Sequence, residues 1–249
     1  SNFILGAMIQ SQAISFGSAM LITLVSGIIF VALTVFGLRD LIVRVIPKNL
    51  KIAISASIGF FIAYLGFKNS GIGSFANGIA LGDITAPAVL LSIGGLLLMI
   101  VLNALNVKGA ILISILAITL IGIPCGVTQI SGVAAVPDFS DLSNVMLNFD
   151  LSNVFTASGL ILVFVCFFGD FFSTLGTVLA VAGRANMLDE NGNLPGIERP
   201  FLVDAIGTCV GALTGNTTVT TYVESTSGVE AGGRSGLTSL VTGVMFLLT

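Results

Sequence analysis

Residues 216 to 228 read NTTVTTYVESTSG, a polar and β-branched stretch inside a chain otherwise composed like a membrane protein. Thr217 to Val223 has strand composition, because β-branched and aromatic side chains suit an extended backbone. Seven residues are too few to cross a bilayer as a strand. Directly after them, Glu224, Ser225, Thr226 and Ser227 supply helix N-cap types and an acid. The reading therefore predicts a half-helix there, its unpaired N–H groups facing the strand. Non-helical backbone at membrane depth persists only where protein or water satisfies its polar groups, and in transporters such breaks form binding sites near the midplane. The plain alternative is an extramembrane loop between two helices.

The composition sets the frame for that choice. Hydrophobic residues make up 55% of the chain and charged residues 8%, with a mean hydropathy of +1.09; soluble domains carry roughly 25% charged residues. Apolar stretches recur along the whole length, which implies an all-α polytopic membrane protein in a lipid bilayer. Ser1 opens the chain and an apolar run closes it, so a fragment cut at both ends is expected. The net charge of −3 gives nucleic-acid binding no support. Cys125, Cys166 and Cys209 sit in apolar context without paired spacing and read as small buried hydrophobes, not as metal ligands or a disulfide framework. The absence of histidine removes Ser-His-Asp triads and imidazole relays. Any proton work falls to carboxylates.

Spans are expected at Ala13 to Leu38, Ile52 to Phe67, Ala88 to Leu105, Gly109 to Ile123 and Val154 to Gly183, with Phe201 to Gly215 as a short Gly-punctuated helix and Leu237 to Thr249 as the last apolar run. A Gly-rich loop, Lys68 to Thr85, leads to Pro87, which sits where a helix would start. Asn106, Val107 and Lys108 make a tight turn between an antiparallel pair. The long connection Thr128 to Asn153 holds Asp138, Asp141 and Asp150 but no Lys or Arg. Alternating sides along this order places Arg39, Arg44, Lys48, Lys51, Lys108, Arg184, Arg199 and Arg234 together, with Lys68 alone opposite, as the positive-inside rule requires. That parity holds only if strand and half-helix together count as one crossing. It favours the broken helix over the loop.

Inside the expected spans the ionisable residues are Asp170, Asp204 and Glu224. A carboxylate at the bilayer centre costs at least a few kcal/mol and normally faces a cavity or a partner. The bland reading of each is an interhelical hydrogen bond. Helical spacing puts Asp170, Ser173, Thr174 and Thr177 on one face. Phe167, Phe168, Phe171 and Phe172 surround it, and rings beside a carboxylate suit a flat heteroaromatic ligand, although the same rings could face lipid. Period-two alternation puts Thr218, Thr220, Tyr222 and Glu224 on one side of the strand. Asp204 and Thr208 lie one turn apart on the preceding helix, while Gly207, Gly211 and Gly215 follow small-xxx-small spacing, a packing signal. Acids withdrawn from water protonate nearer neutral pH, as proton-coupled transport needs. The candidate substrate-binding residues are Asp170, Thr174, Thr221, Tyr222 and Glu224. Asp170, Asp204 and Glu224 are the candidates for proton coupling. Which acid serves which role is open.

The run GDFFSTLGTVLAVAGRANMLDENGNLPGIERPFLVDAIGTCVGALTGNTTVTTYVESTSGVEAGGRSGLTSLVTG, residues 169 to 243, resembles the adenine/guanine/hypoxanthine permease branch of the nucleobase–cation symporter-2, or xanthine/uracil permease, superfamily. The earlier FGLRDLIVRVIPKNLKIAISASIGFFIAYLGFKNSGI, residues 36 to 72, is similar to the family's fourth and fifth helices. The resemblance implies a 7+7 inverted-repeat transporter fold of fourteen helices, present in part as one transmembrane domain over residues 1 to 249. Residues 13 to 127 would end the first repeat and 154 to 249 begin the second, covering roughly the fourth to eleventh helices. It implies an acid at Asp170 on the eighth helix and Glu224 on a broken tenth helix, whose short strand pairs with one from the third around the purine. With that third helix missing, the fragment alone is not expected to transport. Relatives usually carry a second Asp where Ser173 stands, and the more distant uracil and xanthine carriers a His in the eighth helix. The absence of His favours the purine branch.

The expectation is thus proton-coupled uptake of purine nucleobases (hypoxanthine, guanine or adenine) across the cytoplasmic membrane, driven by the proton gradient without a cofactor. The resemblance further implies a homodimer. Which purine is carried, and whether sodium replaces the proton, stays open. An anion transporter of the same fold would prefer a cation or bare half-helix dipoles to Asp170 and Glu224. An intramembrane aspartyl protease would use the Gly-Asp pairs at Asp83 and Asp170, but Asp83 falls in a loop beside Pro87, and an aspartic dyad needs both acids within hydrogen-bond distance.

Overall fold

The computed structural model describes residues 2 to 10, 13 to 37, 45 to 74, 80 to 129 and 142 to 248. Arg39, Asp40, Arg44, Asp138 and Asp141 lie outside these residues. The chain forms two compact units, Ser1–Ile58 with Asp138–Thr249, and Gly59–Pro137. Among the described residues the helices are α1 (Asn2–Gln10), α2 (Phe16–Val35), α3 (Lys48–Asn69), α4 (Pro87–Ala104), α5 (Ala110–Gly122), α6 (Leu142–Val145), α7 (Ala157–Arg184), α8 (Glu198–Leu213), α9 (Ser225–Glu230) and α10 (Gly236–Leu248). Of these, α2, α3, α4 and α7 are long and apolar enough to cross a membrane.

The smaller unit holds the end of α3, a two-residue hairpin, α4 and α5. The hairpin pairs β1 (Gly73–Ser74) with β2 (Ala80–Leu81) in antiparallel register, Gly73 opposite Leu81. Pro87 opens α4 at its first turn, where its missing N–H costs nothing. Asn106, in the left-handed region at φ 55°, and Gly109 at φ 78° turn the chain from α4 into α5. The expected antiparallel pair forms within a residue of its expected bounds.

In the larger unit α2 and α7 run parallel, and α8 runs antiparallel to both. Two clusters show it. Near the starts of α2 and α7, Met20 and Ile22 pack with Val154, Leu162 and Val163; toward their ends, Phe30 packs with Phe167, Phe171, Leu175 and, from the start of α8, Phe201. The buried face of α2 is built of small residues, among them Gly17, Ser18, Ala19, Ser26 and Gly27. Helix association in lipid relies on such close packing, since lipid tails are as apolar as leucine. A Cβ at Gly27 would sit 2.8 Å from Cys209 Sγ on α8. Thr23 and Thr34 send their hydroxyl protons to their own helix, to the Ala19 and Phe30 carbonyls at 2.9 and 2.7 Å, so α2 buries no orphan donor there.

Caps define the helix starts. Ser15 caps α2 by accepting from the Ser18 N–H at 3.2 Å, and Thr156 caps α7 through the Gly159 N–H at 3.1 Å. Asp150, in the turn before α7, accepts from the Ser15 hydroxyl at 2.6 Å and the Ser18 hydroxyl at 3.2 Å, joining the two helix starts. That Ser15 hydroxyl, with Ser152 and Ser18 adding to it, holds the Asp150 carboxyl down at about 2. One expected boundary moves: α3 begins at Lys48, four residues before the expected Ile52, so Lys48 and Lys51 lie within a helix and not in a loop.

Candidate functional site

The stretch after α8 is not a regular strand. Residues 216 to 224 are extended or turn-like, with no strand partner among the described residues. They run back along α8. The Thr217 carbonyl oxygen lies 2.8 Å from where a Gly211 Cβ would be, and the Val219 oxygen 3.3 Å from that of Gly207. Thr221, further on, donates its backbone N–H to Asp204 Oδ1 at 2.8 Å. The Gly207 and Gly211 spacing, read as a helix-packing signal, thus makes room for an extended backbone instead. An unladdered backbone needs other partners where it is buried. Asp204 supplies one and Thr208 another, its hydroxyl 3.4 Å from the Val219 oxygen.

Around this contact the buried polar groups of α7 and α8 converge. Asp170, Thr174, Thr177, Asp204 and Thr208 are all buried. The Thr174 hydroxyl donates to Asp204 Oδ2 at 2.6 Å, and the one Thr208 hydroxyl proton is shared between Asp170 Oδ2 at 3.2 Å and the Val219 oxygen. Each carboxylate is therefore served by a threonine of the neighbouring helix, two reciprocal bonds that fix the facing of α7 and α8. On the extended stretch, the Thr220 and Thr221 hydroxyl oxygens are buried without a hydrogen-bond partner among the described residues.

Of the residues expected at the site, Asp170, Thr174, Asp204 and Thr221 come together. Tyr222 and Glu224 do not: Tyr222 is 64% exposed and Glu224 is exposed too. Period-two alternation fails there because the chain turns at Val223 and Glu224 into α9, so the last residues of the expected strand leave its face. The short helix itself forms where expected, at Ser225. The aromatic residues divide as well. Phe167 and Phe171 are core, edge-on or tilted against Phe30 and Phe201 at 5.9 and 6.0 Å; Phe168 packs partly buried against that cluster, and Phe172 is exposed. Ser173 is half-buried beside the cluster. Thr208 was legible only as a neighbour of Asp204 one turn away; its link to Asp170 depends on the angle between two helices.

The opposite end of α7 carries the basic residues. Arg184, in its last turn, pairs with Glu230 at the end of α9. Lys48 donates to the Glu190 carbonyl at 3.1 Å and Lys51 to the Asn193 side chain. Lys48, Lys51, Arg184 and Glu230 line a groove of about 580 Å³ between α3, α7 and α9, together with Ile52, Ala56 and Leu179. The Asp170 cluster lines no part of it.

The xanthine/uracil permease model, described as the permease family, matches residues 2 to 249. The chain is 38% identical over 219 residues to the adenine permease AdeQ of Escherichia coli, covering 87% of this chain and 49% of that one. It is 38% identical over 230 residues to the guanine/hypoxanthine permease PbuG of Bacillus subtilis, covering 90% and 51%. To PbuO of the same organism, also a guanine/hypoxanthine permease, it is 36% identical over 242 residues, 94% and 55%. The chain spans about half the length of these relatives. Since the match runs through nearly every residue, apolar spans and buried acid pair included, this multi-pass membrane protein belongs to the xanthine/uracil permease family.

Proposed function

We propose that the full-length protein is a purine nucleobase permease of the cytoplasmic membrane, a transporter and not an enzyme, coupled to the proton gradient. The observation that carries this reading is the meeting of two buried carboxylates, Asp170 and Asp204, with a non-helical crossing stretch. The relatives named for adenine and for guanine/hypoxanthine support the substrate class. A purine offers ring N–H donors and ring nitrogen acceptors; a carboxylate takes the former and a threonine hydroxyl serves the latter. The orphaned Thr220 and Thr221 hydroxyls are of the right kind to meet such a ligand.

In the proposed mechanism Asp170 and Glu224 divide substrate and proton between them, with Thr174, Thr221 and Tyr222 around the purine. The exposed position of Glu224 leaves it open to a partner from the rest of the permease or from a second subunit of a homodimer. Two acids argue against an anion carrier of the same fold, because anionic cargo would be repelled at Asp170. The test is uptake of radiolabelled hypoxanthine, guanine, adenine, xanthine and uracil by the full-length protein in cells lacking their own carriers. Purine uptake that collapses with a protonophore, and with Asp170→Asn or Glu224→Gln, is the expected result. No uptake of any base by a well-expressed parent would overturn the reading.

A further inference from the structure

We infer that Asp204 is a positioning residue that clasps the non-helical crossing stretch to α7 and α8, and that it does not carry the transported proton. The inference rests on the permease reading above and assigns a role within it. Burial alone makes Asp204 look like a second proton site. The geometry says otherwise.

Asp204 stands on α8, and its two carboxylate oxygens are used in two directions. Oδ1 accepts the Thr221 backbone N–H at 2.8 Å, and Oδ2 accepts the Thr174 hydroxyl at 2.6 Å. Three elements therefore meet at one side chain: α8 that bears it, α7 through Thr174, and the crossing stretch through Thr221. The backbone donor is the decisive one. The extended segment has no strand partner among the described residues, so its N–H groups draw on other acceptors, and a carboxylate provides a charge-assisted one. Gly211 and Gly207 complete the fit by letting the backbone of Thr217 to Val219 lie against α8, so that Thr221 arrives beside Asp204. The two orphaned hydroxyls, on Thr220 and Thr221, sit at the clasped residue and its neighbour. Holding Thr221 therefore holds the groups best placed to meet cargo.

A proton carrier needs a carboxylate free to exchange its proton with cargo or water. Both Asp204 oxygens are instead held by donors of the protein itself, the Thr221 N–H and the Thr174 hydroxyl, on a side chain that is only 4% exposed. Asparagine, which has no proton to exchange, keeps the clasp: its Oδ1 accepts from the Thr221 N–H, and its amide donates to a Thr174 hydroxyl turned to accept.

The experiment uses the full-length protein with its native cysteines replaced and a reporter cysteine introduced by Thr220→Cys, whose sulfur takes the place of the buried hydroxyl. Reactivity of that cysteine toward a small maleimide is read beside uptake by the same Asp204 and Thr174 variants in a background that keeps Thr220. In the Asp204→Asn variant we expect unchanged labelling and uptake reduced by less than about tenfold, still abolished by a protonophore and with an unchanged pH profile. In Asp204→Ala we expect labelling to rise at least about tenfold and uptake to be lost. Thr174→Val, which removes one side of the clasp without touching α8, should raise labelling by a smaller factor. The assignment is overturned by Asp204→Asn uptake that no longer responds to the protonophore, or by Asp204→Ala labelling equal to the parent's. Because labelling is read without cargo, failure of the clasp is distinguishable from failure of the permease reading, which would show as a parent that takes up no base.

Discussion

The Arg184 guanidinium meets the Glu230 carboxylate at the end of α7, while Leu147, ten residues before α7 begins, donates its N–H to the Leu213 carbonyl at the end of α8 at 3.1 Å. The chain leaves α8 at one end of α7 and, seventeen residues later, is bonded at the other. Extended residues 217 to 222 rise about 20 Å and the six residues of α9 about 9 Å, at ordinary spacings of about 3.3 and 1.5 Å per residue. Their sum, about 29 Å, matches a hydrocarbon core of about 30 Å. Single cysteines introduced by Asn216→Cys and Ala231→Cys in the full-length protein should therefore label with an impermeant reagent from opposite faces of oriented vesicles. Labelling of both from the same face would restore the loop reading.

Room for that crossing comes from glycine. A methyl at Gly211 would approach Val219 Cγ2 to 2.7 Å and the Thr217 carbonyl oxygen to 2.8 Å, and the second contact is backbone, which cannot swing aside. Gly211→Ala is expected to cost about 1 to 3 kcal/mol, the usual range for overpacking a tight site. Gly228→Ala, where nothing lies within 4 Å, should leave stability unchanged or slightly raised. Thermal unfolding of the purified full-length protein in detergent separates the two. Equal melting temperatures would show that the stretch does not pack on α8.

Much of this architecture was legible in the sequence, and the rest was hidden for physical reasons. Pro87, the Asn106 turn and the apolar runs mark helix bounds through local chemistry, so α2, α4, α5 and α7 fall within a few residues of expectation. The charge parity of Arg184, Lys48 and Lys51 foretold that they share one end, and their bonds to Glu230, Glu190 and Asn193 agree. Asp170 and Thr174 could be placed on one face by helical period alone. That Thr208 reaches Asp170, or that Asp204 serves the Thr221 N–H, depends on how three elements pack, which no period within one element encodes. Tyr222 and Glu224 shared a face only while the strand was taken to run straight to residue 224. The turn into α9 breaks that register.

Outside the membrane, the serine clasp on Asp150 should make the join between α2 and α7 sensitive to acid. The folded-state value of about 2 lies below the ordinary 3.8, chiefly through the Ser15 hydroxyl. A depressed carboxylate contributes stability that is present above its unfolded value and lost as pH falls through its folded one. The contribution should therefore be whole at pH 5 and above, and gone only below about pH 2. Asp150→Asn is expected to lower the melting temperature at pH 7 and to converge on the parent as pH falls from about 4 to about 2. Ser15→Ala should raise the Asp150 titration midpoint toward 3.8, measurable by carboxyl NMR on selectively labelled protein. A constant gap between parent and Asp150→Asn across that window would show that the clasp does not couple to folding.

The basic end makes a last prediction about asymmetry. Lys51 is only 4% exposed, and its ammonium donates to the Asn193 side chain, whose own loop is tied to Asp189. The Asn193 N–H reaches Asp189 Oδ1 at 2.7 Å and, more than the nearby Lys51 charge, holds that carboxyl below its ordinary range. Removing the acceptor and removing the charge are then unequal changes. Asn193→Ala strips a hydrogen bond from a buried ammonium and is expected to cost about 1.5 to 3 kcal/mol, the range for bonds to charged groups. Lys51→Met keeps the apolar stem against its surroundings and takes away the charge that needed a partner, so it should cost less. The double variant should sit close to Lys51→Met alone, because without the ammonium the Asn193 side chain has lost its main task there. Melting temperatures of the four proteins, purified full-length in one detergent, give the cycle directly. Strict additivity would mean that Lys51 and Asn193 act independently, and that the loop after α7 is held to α3 by other contacts.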